Sequence, residues 1–323
     1  MKILTMAMMA AMCAVAENSP ANAPRDAAAG VDTAERRDWN YVLGEGITFR
    51  EHKIVSGEAG VSFDSKYLSY GLADNKDPIV TPHAGITFFD WFSFCVDGIF
   101  DTTKFGRKAG YGNRAGRYTE IDSRALLGHS FGKADFEWLP TTVAFELAYF
   151  NEYHPRSMGH GTGEPGSPSQ FFTFEVSLPD IWLEPCFLYE RDIQRDNGTY
   201  LNLELGHTFA LVDGDGEEDG DAEPLLALRP SVGQGFGNSQ RVKGYLTRYH
   251  ADEPLDHAGL MDTNVKLELV WKLARNVSLS GYVAYYDFLF DREIRQASRG
   301  YEATGRDDDS WKFIGGMALM LAF

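Results

Sequence analysis

The hydrophobic pattern of this chain has a period of two over most of its length, and the C-terminal end shows it most clearly. In the last eleven residues every second position is apolar or glycine: Phe313, Gly315, Met317, Leu319, Leu321 and Phe323. A period of two is typical of a β-strand with one apolar face. A strand of about 9–11 residues crosses a bilayer when it is tilted. The pattern favours a strand that closes a membrane barrel, and the alternative is the edge strand of a soluble β-sandwich.

The same alternation predicts further strands upstream, at about 57–71, 79–88, 92–102, 118–131, 138–150, 170–178, 182–191, 199–211, 225–235, 262–273 and 277–290. The connections between them alternate in length. The tight ones are 90–91, 132–135, 179–181 and 275–276, and the long ones include 103–117, 151–169, 236–261 and 291–310. Short turns at one end and long loops at the other are the rule in outer-membrane barrels. Connection 212–224 departs from this rule, because it belongs to the short-turn end and is long.

Aromatic residues concentrate near both predicted ends of the strands. Trp91, Trp138 and Trp182 are among those near the short turns, and Tyr149 and Tyr285 are among those near the long loops. Two aromatic bands are what two membrane–water interfaces select. We therefore predict an all-β fold, an antiparallel up-and-down transmembrane β-barrel of about 12 strands with short periplasmic turns and long extracellular loops.

The N-terminus has the features of a secretory signal peptide. Lys2 precedes a short apolar stretch, and Ala14-Val15-Ala16 supplies small residues for cleavage, with Ala21-Asn22-Ala23 as a second cleavage site. The alternative is an N-terminal anchor that is retained. The predicted organisation is a signal peptide at 1–16, a flexible periplasmic leader at 17–53 and the transmembrane barrel at 54–323, in a protein exported to the bacterial outer membrane.

Composition narrows the function classes. The formal net charge of −17 argues against nucleic-acid binding. No run of 18 apolar residues follows the N-terminus, so we expect no transmembrane helix. After removal of the signal, Cys95 and Cys186 remain, on predicted strands too far apart for a disulfide. We expect both cysteines to be small residues of the barrel wall.

One stretch carries a family resemblance. Asp64-Ser-Lys-Tyr-Leu-Ser-Tyr-Gly-Leu-Ala-Asp-Asn-Lys-Asp-Pro78 resembles the first hairpin of outer-membrane porins of the TorF type. The matching residues are Ser65, Lys66, Tyr67, Gly71 and Pro78. Tyr70 stands where that family commonly has an arginine. The terminal Phe323 also resembles the usual last residue of bacterial outer-membrane barrels. The resemblance implies an outer-membrane porin barrel and no catalytic residues.

The face opposite the apolar one would line the lumen. Its charged residues are candidates for lining a pore: Asp97, Glu120, Asp122, Arg124, Glu146, Glu204, Lys266 and Glu268. Acids outnumber bases on this face, and rings of acids favour cations. The function predicted from the sequence is passive diffusion of small polar solutes through a weakly cation-preferring pore. The alternative is a closed barrel with a structural or surface-binding role.

No metal or cofactor site is predicted. Asp213, Asp215, Glu217 and Asp219 alternate as in an EF-hand loop, but Glu218 and Pro224 replace its required glycine and glutamate. A solvated acidic turn is the simpler interpretation, and weak binding of divalent cations is the alternative. Histidines in the long loops have spacings that match no common zinc site.

We expect no enzymatic activity. An outer-membrane lipid hydrolase needs a serine and a histidine on one face of the wall. The adjacent pair His129-Ser130 points to opposite faces of its predicted strand. The expected partners are outer-membrane lipid, small polar solutes and, through the C-terminal strand, the barrel-assembly machinery.

Overall fold

The computed structural model describes residues 39–42, 46–49, 52–75, 77–102, 117–153, 169–214, 224–246, 255–300 and 310–323. The strands there are β1 (Trp39–Val42), β2 (Gly46–Phe49), β3 (His52–Asp64), β4 (Tyr67–Ser69), β5 (Leu72–Asn75), β6 (Ile79–Phe88), β7 (Phe92–Asp101), β8 (Arg117–Phe131), β9 (Val143–Tyr153), β10 (Ser169–Ser177), β11 (Cys186–Asp192), β12 (Thr199–Gly206), β13 (Phe209–Val212), β14 (Leu226–Gly237), β15 (Gly259–Ala274), β16 (Val277–Asp287) and β17 (Lys312–Ala322). The helices are α1 (Ser239–Leu246) and α2 (Arg292–Gly300). Among the described residues, no helix is long and apolar enough to cross a membrane.

Twelve of these strands close into an antiparallel barrel, which confirms the predicted fold class. Their order around the wall is β3, β6, β7, β8, β9, β10, β11, β12, β14, β15, β16 and β17. The first strand of the wall, β3, pairs with β6 on one side and with the last strand, β17, on the other, and this pairing closes the barrel. The seam ends in two backbone hydrogen bonds, from Gly57 N to Phe323 O at 2.6 Å and from Phe323 N to Gly57 O at 2.8 Å.

The period-two pattern of the sequence sorts the side chains between the two faces of the wall. Along β15, Val265, Leu267 and Leu269 are exposed on the outer face, at 54%, 44% and 43% of their surface. Lys266 and Glu268 lie between them and point to the inner face. An outer face of exposed aliphatic and aromatic side chains is unfavourable in water and suits the hydrocarbon of a bilayer.

The observed strands differ from the predicted ones mainly at proline residues and turns. The strand expected at 138–150 begins at Val143, after Pro140, and the one expected at 182–191 begins at Cys186, after Pro185. Proline has no amide hydrogen for the ladder and often stands just outside a strand. The strand expected at 199–211 is interrupted, because β12 ends at Gly206 and β13 begins at Phe209.

The first predicted strand also differs. The strand expected at 57–71 ends at Asp64, and β4 and β5 form a separate two-stranded hairpin beyond it. We call residues 67–75 the inward hairpin. The segment predicted as a leader contains β1 and β2, which pair with each other, and β2 pairs with the start of β3.

Two long connections contain helices that the hydrophobic pattern did not reveal. Each helix begins at a capping side chain. Asn238 Oδ1 accepts a hydrogen bond from Arg241 N at 2.9 Å at the start of α1. Asp291 Oδ1 accepts bonds from Glu293 N and Ile294 N, both at 3.0 Å, at the start of α2. Such side chains satisfy amide groups that have no partner within the helix.

Candidate functional site

The eight charged residues predicted to line a pore lie on the inner face of the wall. Glu146 is followed by the exposed Leu147, and Glu204 is preceded by the exposed Leu203. Neighbouring residues of a strand point to opposite faces, so both glutamates point inward. The ladder places Asp97 opposite Asp122, and the others follow by the same alternation. Whether these residues line a conducting pore stays a prediction.

Exposure of the inner face differs between the two ends of the barrel. Towards the short turns, the side chains of Glu58 and Arg229 are 48% and 53% exposed. Towards the long loops, Asp192, Asp262 and Lys312 are at most 3% exposed. The solvent-accessible part of the inner face is therefore at the short-turn end, and the long-loop end is closely packed.

A chain of polar contacts crosses the accessible part of the inner face. His83 Nδ1 lies 2.7 Å from Asp97 Oδ1, and its Nε2 lies 3.0 Å from Glu58 Oε1. Arg124 Nη2 donates to Asp97 Oδ2 at 3.0 Å. Asp97 and Arg124 are among the residues predicted to line the pore. His83 is not among them, although it has the parity of an inward residue on the strand expected at 79–88.

The inward hairpin narrows the long-loop end. It connects β3 to β6, yet the Tyr70 hydroxyl donates to Glu190 Oε1 on β11. In the order of the wall, β11 is six places from β3, which is the opposite side of a twelve-stranded barrel. At the base of the hairpin, Tyr67 Oη donates to Glu120 Oε1 at 2.8 Å. The hairpin therefore spans the bore and is fastened to the far wall.

Arg241 on α1 fixes the tip of the hairpin from the other side. Its side chain is 0% exposed, and its Nη2 donates to Glu190 Oε1 at 2.7 Å. Its Nη1 lies 3.7 Å from Asp196 Oδ2, in the connection between β11 and β12. The guanidinium carbon is 4.9 Å from the centre of the Tyr70 ring, within range of a cation–π contact. Glu190 thus accepts hydrogen bonds from both Tyr70 and Arg241.

The electrostatics of this arrangement keep Tyr70 a donor. Burial, and next the negative charge of Glu190, raise the pKa of Tyr70 well above its usual value. The phenol is therefore protonated at every physiological pH and can donate to the carboxylate. Burial also raises the pKa of Asp196, and Arg241 acts against that rise.

An apolar cluster holds the hairpin and both helices against the wall. We call it the roof cluster. Its members are Leu72, Tyr200, Val242, Leu246, Met261, Phe288, Ile294 and Ala297. Tyr70 and Tyr245 pack against it, with ring centres 4.8 Å apart. Burial of apolar surface stabilises by roughly 25 cal/mol per Å², so this cluster stabilises the packing of the hairpin and the helices at the long-loop end.

Several residues considered from the sequence lie outside the described residues. They are the signal peptide 1–16, most of the leader, the long-loop residues His154, His160 and His250, and the greater part of the acidic stretch 213–223. His257 is described and faces Asp291 and Glu293, with nitrogen–oxygen distances of 3.4 and 3.6 Å. The two remaining cysteines form no disulfide with each other.

This architecture defines a class of protein, the transmembrane β-barrel. An even number of antiparallel strands, an apolar outer face and a charged inner face are its features. The structure does not narrow the class to one family. The resemblance to TorF-type porins stays an expectation from the sequence.

No protein-family model and no curated protein matches the sequence. Among solved structures, an outer membrane channel from Pseudomonas putida F1 has a TM-score of 0.45 at 8% identity, over 91% of this chain and 100% of that one. The KdgM porin has a TM-score of 0.41 at 9% identity, over 83% and 99%. The NanC porin has a TM-score of 0.41 at 8% identity, over 83% and 98%. At these values the assignment of class rests on the geometry of the barrel itself.

Proposed function

We propose that the protein is an outer-membrane porin-like channel for passive diffusion of small polar solutes. One observation carries this proposal: charged side chains on the inner face of the barrel remain accessible to solvent at the short-turn end. Charged groups are costly in a dry interior and stable in a water-filled one. The inward hairpin would then be the element that limits the size of a solute.

A weak cation preference belongs to the same proposal. Of the eight residues predicted to line the pore, six are acids and two are bases. Ion pairs such as Arg124 with Asp97 and Lys266 with Glu268, at 3.0 and 3.2 Å, cancel part of the field. The surplus of acid would attract cations over a distance set by the salt concentration.

The place of the protein in the cell is also proposed. The apolar outer face requires a bilayer, and barrels of this design belong to the outer-membrane type. Export by the segment 1–16 and recognition of the C-terminal strand by the barrel-assembly machinery would bring the chain there. Cell fractionation of a strain that expresses the full chain tests this part, and recovery in the soluble fraction would contradict it.

A second candidate function is a closed barrel that acts through its long-loop surface. The observation that favours it is the packing of the long-loop end, where Arg241 has no exposed surface and the roof cluster is buried. A closed barrel would insert stably into a bilayer and carry no current.

The deciding experiment is the single-channel current of the purified protein in a planar bilayer, measured with a salt gradient. We expect stepwise conductance and a reversal potential of the sign that indicates cation preference. The double variant Glu204→Gln with Glu268→Gln should move the reversal potential towards zero. The control, Glu137→Gln with Asp213→Asn, removes two charges from connections outside the wall and should leave it unchanged. Stable insertion without current would refute the channel and support the second candidate.

A further inference from the structure

The inner face near the short turns carries a cluster of metal-binding residue types that diffusion through a channel does not require. Glu58 on β3, His83 on β6 and Cys95 on β7 come from three adjacent strands. A carboxylate oxygen, a ring nitrogen and the thiol sulfur of these residues all lie within 4.8 Å of one another. Oxygen, nitrogen and sulfur ligands of this kind are those of protein-bound zinc.

The register of the barrel brings the three residues together. Gly85 pairs with Glu58 on one side and with Cys95 on the other, and His83 lies two residues before Gly85 on the same face. A Cβ atom at position 85 would be 2.8 Å from Glu58 Oε1 and 3.3 Å from Cys95 Sγ. The glycine therefore leaves open the space in which these two side chains approach each other.

The imidazole of His83 is held in an orientation suited to a metal ligand. Asp97 Oδ1 can only accept, so His83 Nδ1 donates to it across 2.7 Å. Arg124 donates to the other oxygen of Asp97 at 3.0 Å and holds that carboxylate in place. A histidine that binds a metal through one nitrogen usually donates its other N–H to a carboxylate in this way. The arrangement leaves Nε2 facing Glu58.

The separation of the nitrogen and oxygen ligands fits a small divalent ion. His83 Nε2 and Glu58 Oε1 are 3.0 Å apart. Two atoms that each lie about 2.1 Å from one zinc ion are separated by about 3.0–3.4 Å at common coordination angles. Cys95 Sγ lies within 4.8 Å of both atoms. The half-exposed Glu58 side chain has room to rotate, so its carboxylate can adjust to an ion that is also bound to the sulfur.

We propose that Glu58, His83 and Cys95 bind a divalent transition metal ion of the zinc type in the lumen, with Asp97 as the residue that positions His83. Three protein ligands leave a fourth coordination position that faces the lumen. The competing interpretation is a metal-free network in which a protonated His83 bridges the carboxylates of Glu58 and Asp97.

The experiment is titration of the purified, reduced barrel in detergent with Co²⁺, followed by displacement with Zn²⁺. A cobalt–thiolate site gives a sulfur-to-metal charge-transfer absorption, so the readout reports the ligand directly. We expect this band in the unmodified protein and its loss in Cys95→Ser. The matched control is Cys186→Ser. Cys186 is the other cysteine of the inner wall, and its partner in the ladder is Glu204 and not a histidine. That variant should keep the band.

Two further variants separate ligand from positioning residue. Glu58→Gln and His83→Asn should weaken binding most, whereas Asp97→Asn should keep the absorption band and lower the affinity by about 10–100-fold. Absence of the band in the unmodified protein, or a band that depends on Cys186, would refute the site. Circular dichroism checks that each variant retains its strands. The absorption does not depend on conductance, so a barrel that binds cobalt and carries no current would refute the proposed channel and leave the metal site standing.

Discussion

Arg241 is the residue on which the structure of the long-loop end most depends. It is the largest of the fully buried side chains among the described residues, and its guanidinium faces the carboxylates of Glu190 and Asp196 at 2.7 and 3.7 Å. A buried ion pair contributes little net stability compared with apolar residues, but removal of one partner leaves the other charge uncompensated. The hairpin, the helix and the wall meet at this one guanidinium.

Arg241→Met should therefore destabilise the roof cluster by about 3–5 kcal/mol, since it leaves two carboxylates buried without their cation. The measurement is hydrogen exchange of the α1 amides, which reports the free energy of local opening. Arg229→Met is the matched control, because Arg229 is 53% exposed and lies 3.9 Å from Glu184, and its loss should cost about 0–1 kcal/mol.

A double variant tests the cause. If the uncompensated charge of Glu190 causes the destabilisation, the double variant Arg241→Met with Glu190→Gln should recover part of the hydrogen-exchange protection that the α1 amides lose in Arg241→Met. Equal exchange in the single and double variants would show that the packing of the Arg241 side chain, and not its charge, holds α1.

At the level of single residues, the sequence predicted which side of the wall a charge faces and could not predict its partner. Parity along a strand is enough to place Glu146 or Lys266 on the inner face. His83 and Glu58 are 25 residues apart, and their contact depends on the register between β6 and β3. Periodicity holds no information on register. Arg241 lies in a connection and not in a strand, so the alternation gave no signal for it.

Among the elements, the inward hairpin has the clearest functional consequence. Residues 67–75 continue the alternation of β3, so the strand predicted at 57–71 contains most of them. Tyr70 and Gly71 have φ values of 49° and 76°, which end β4 and turn the chain back into β5. A glycine accepts this conformation without strain. The sequence Tyr-Gly before a polar stretch was the available signal for a turn.

Gly71→Ala should loosen the hairpin. A Cβ atom there would be 2.6 Å from the Cβ atom of Asp262, and the positive φ adds backbone strain. If the hairpin limits the bore, single-channel conductance should rise and the hairpin amides should exchange faster. Gly132→Ala is the control, because the nearest atom to its added Cβ, Thr142 Oγ1, is 3.5 Å away.

The two measurements on Gly71→Ala distinguish the role of the hairpin from its stability. Faster exchange with unchanged conductance would mean that the hairpin moves and does not limit the current. Unchanged exchange would contradict the strain argument itself.

The helices α1 and α2 show what the hydrophobic pattern leaves out. Both are short, and both follow a capping residue, Asn238 or Asp291, that the sequence displays. A search for capping residues in the long connections includes these two positions among its candidates. It does not predict that the helices pack on Leu72 from a hairpin more than 150 residues earlier, because that contact depends on the closed barrel.

For the whole molecule, the prediction from sequence was most successful, since closure follows from a repeated local pattern. The twelve-strand count and the antiparallel order rest on alternation and on the lengths of the connections, and both are present in the sequence. The seam between β3 and β17 joins the first and last strands of the described wall, and it requires close approach of two backbones.

A side chain at Gly60 should destabilise the seam. A Cβ atom there would be 2.7 Å from the carbonyl oxygen of Leu319 and closer still to the Met320 sulfur. Gly60→Ala should lower the free energy of unfolding by about 1–3 kcal/mol, as overpacking does. Gly281→Ala in β16 is the control, with its nearest neighbour 3.8 Å away, and should change stability by less than about 1 kcal/mol.

Thermal unfolding followed by circular dichroism measures both glycine variants under the same conditions. Equal midpoints would show that the seam has room to relax. A lower midpoint for Gly281→Ala than for Gly60→Ala would contradict the assignment of the tight approach to the seam.

The seam also determines the order in which the chain can mature. Ser65 and Gly315 are in contact across it although they are 250 residues apart in the sequence. Contacts between such distant residues form late, because a long loop must first be closed. Until β17 arrives, the growing sheet has two free edges, at β3 and at β16, and free edges pair with any other available strand. A chain that stalls before residue 312 would therefore be prone to join a second copy of itself.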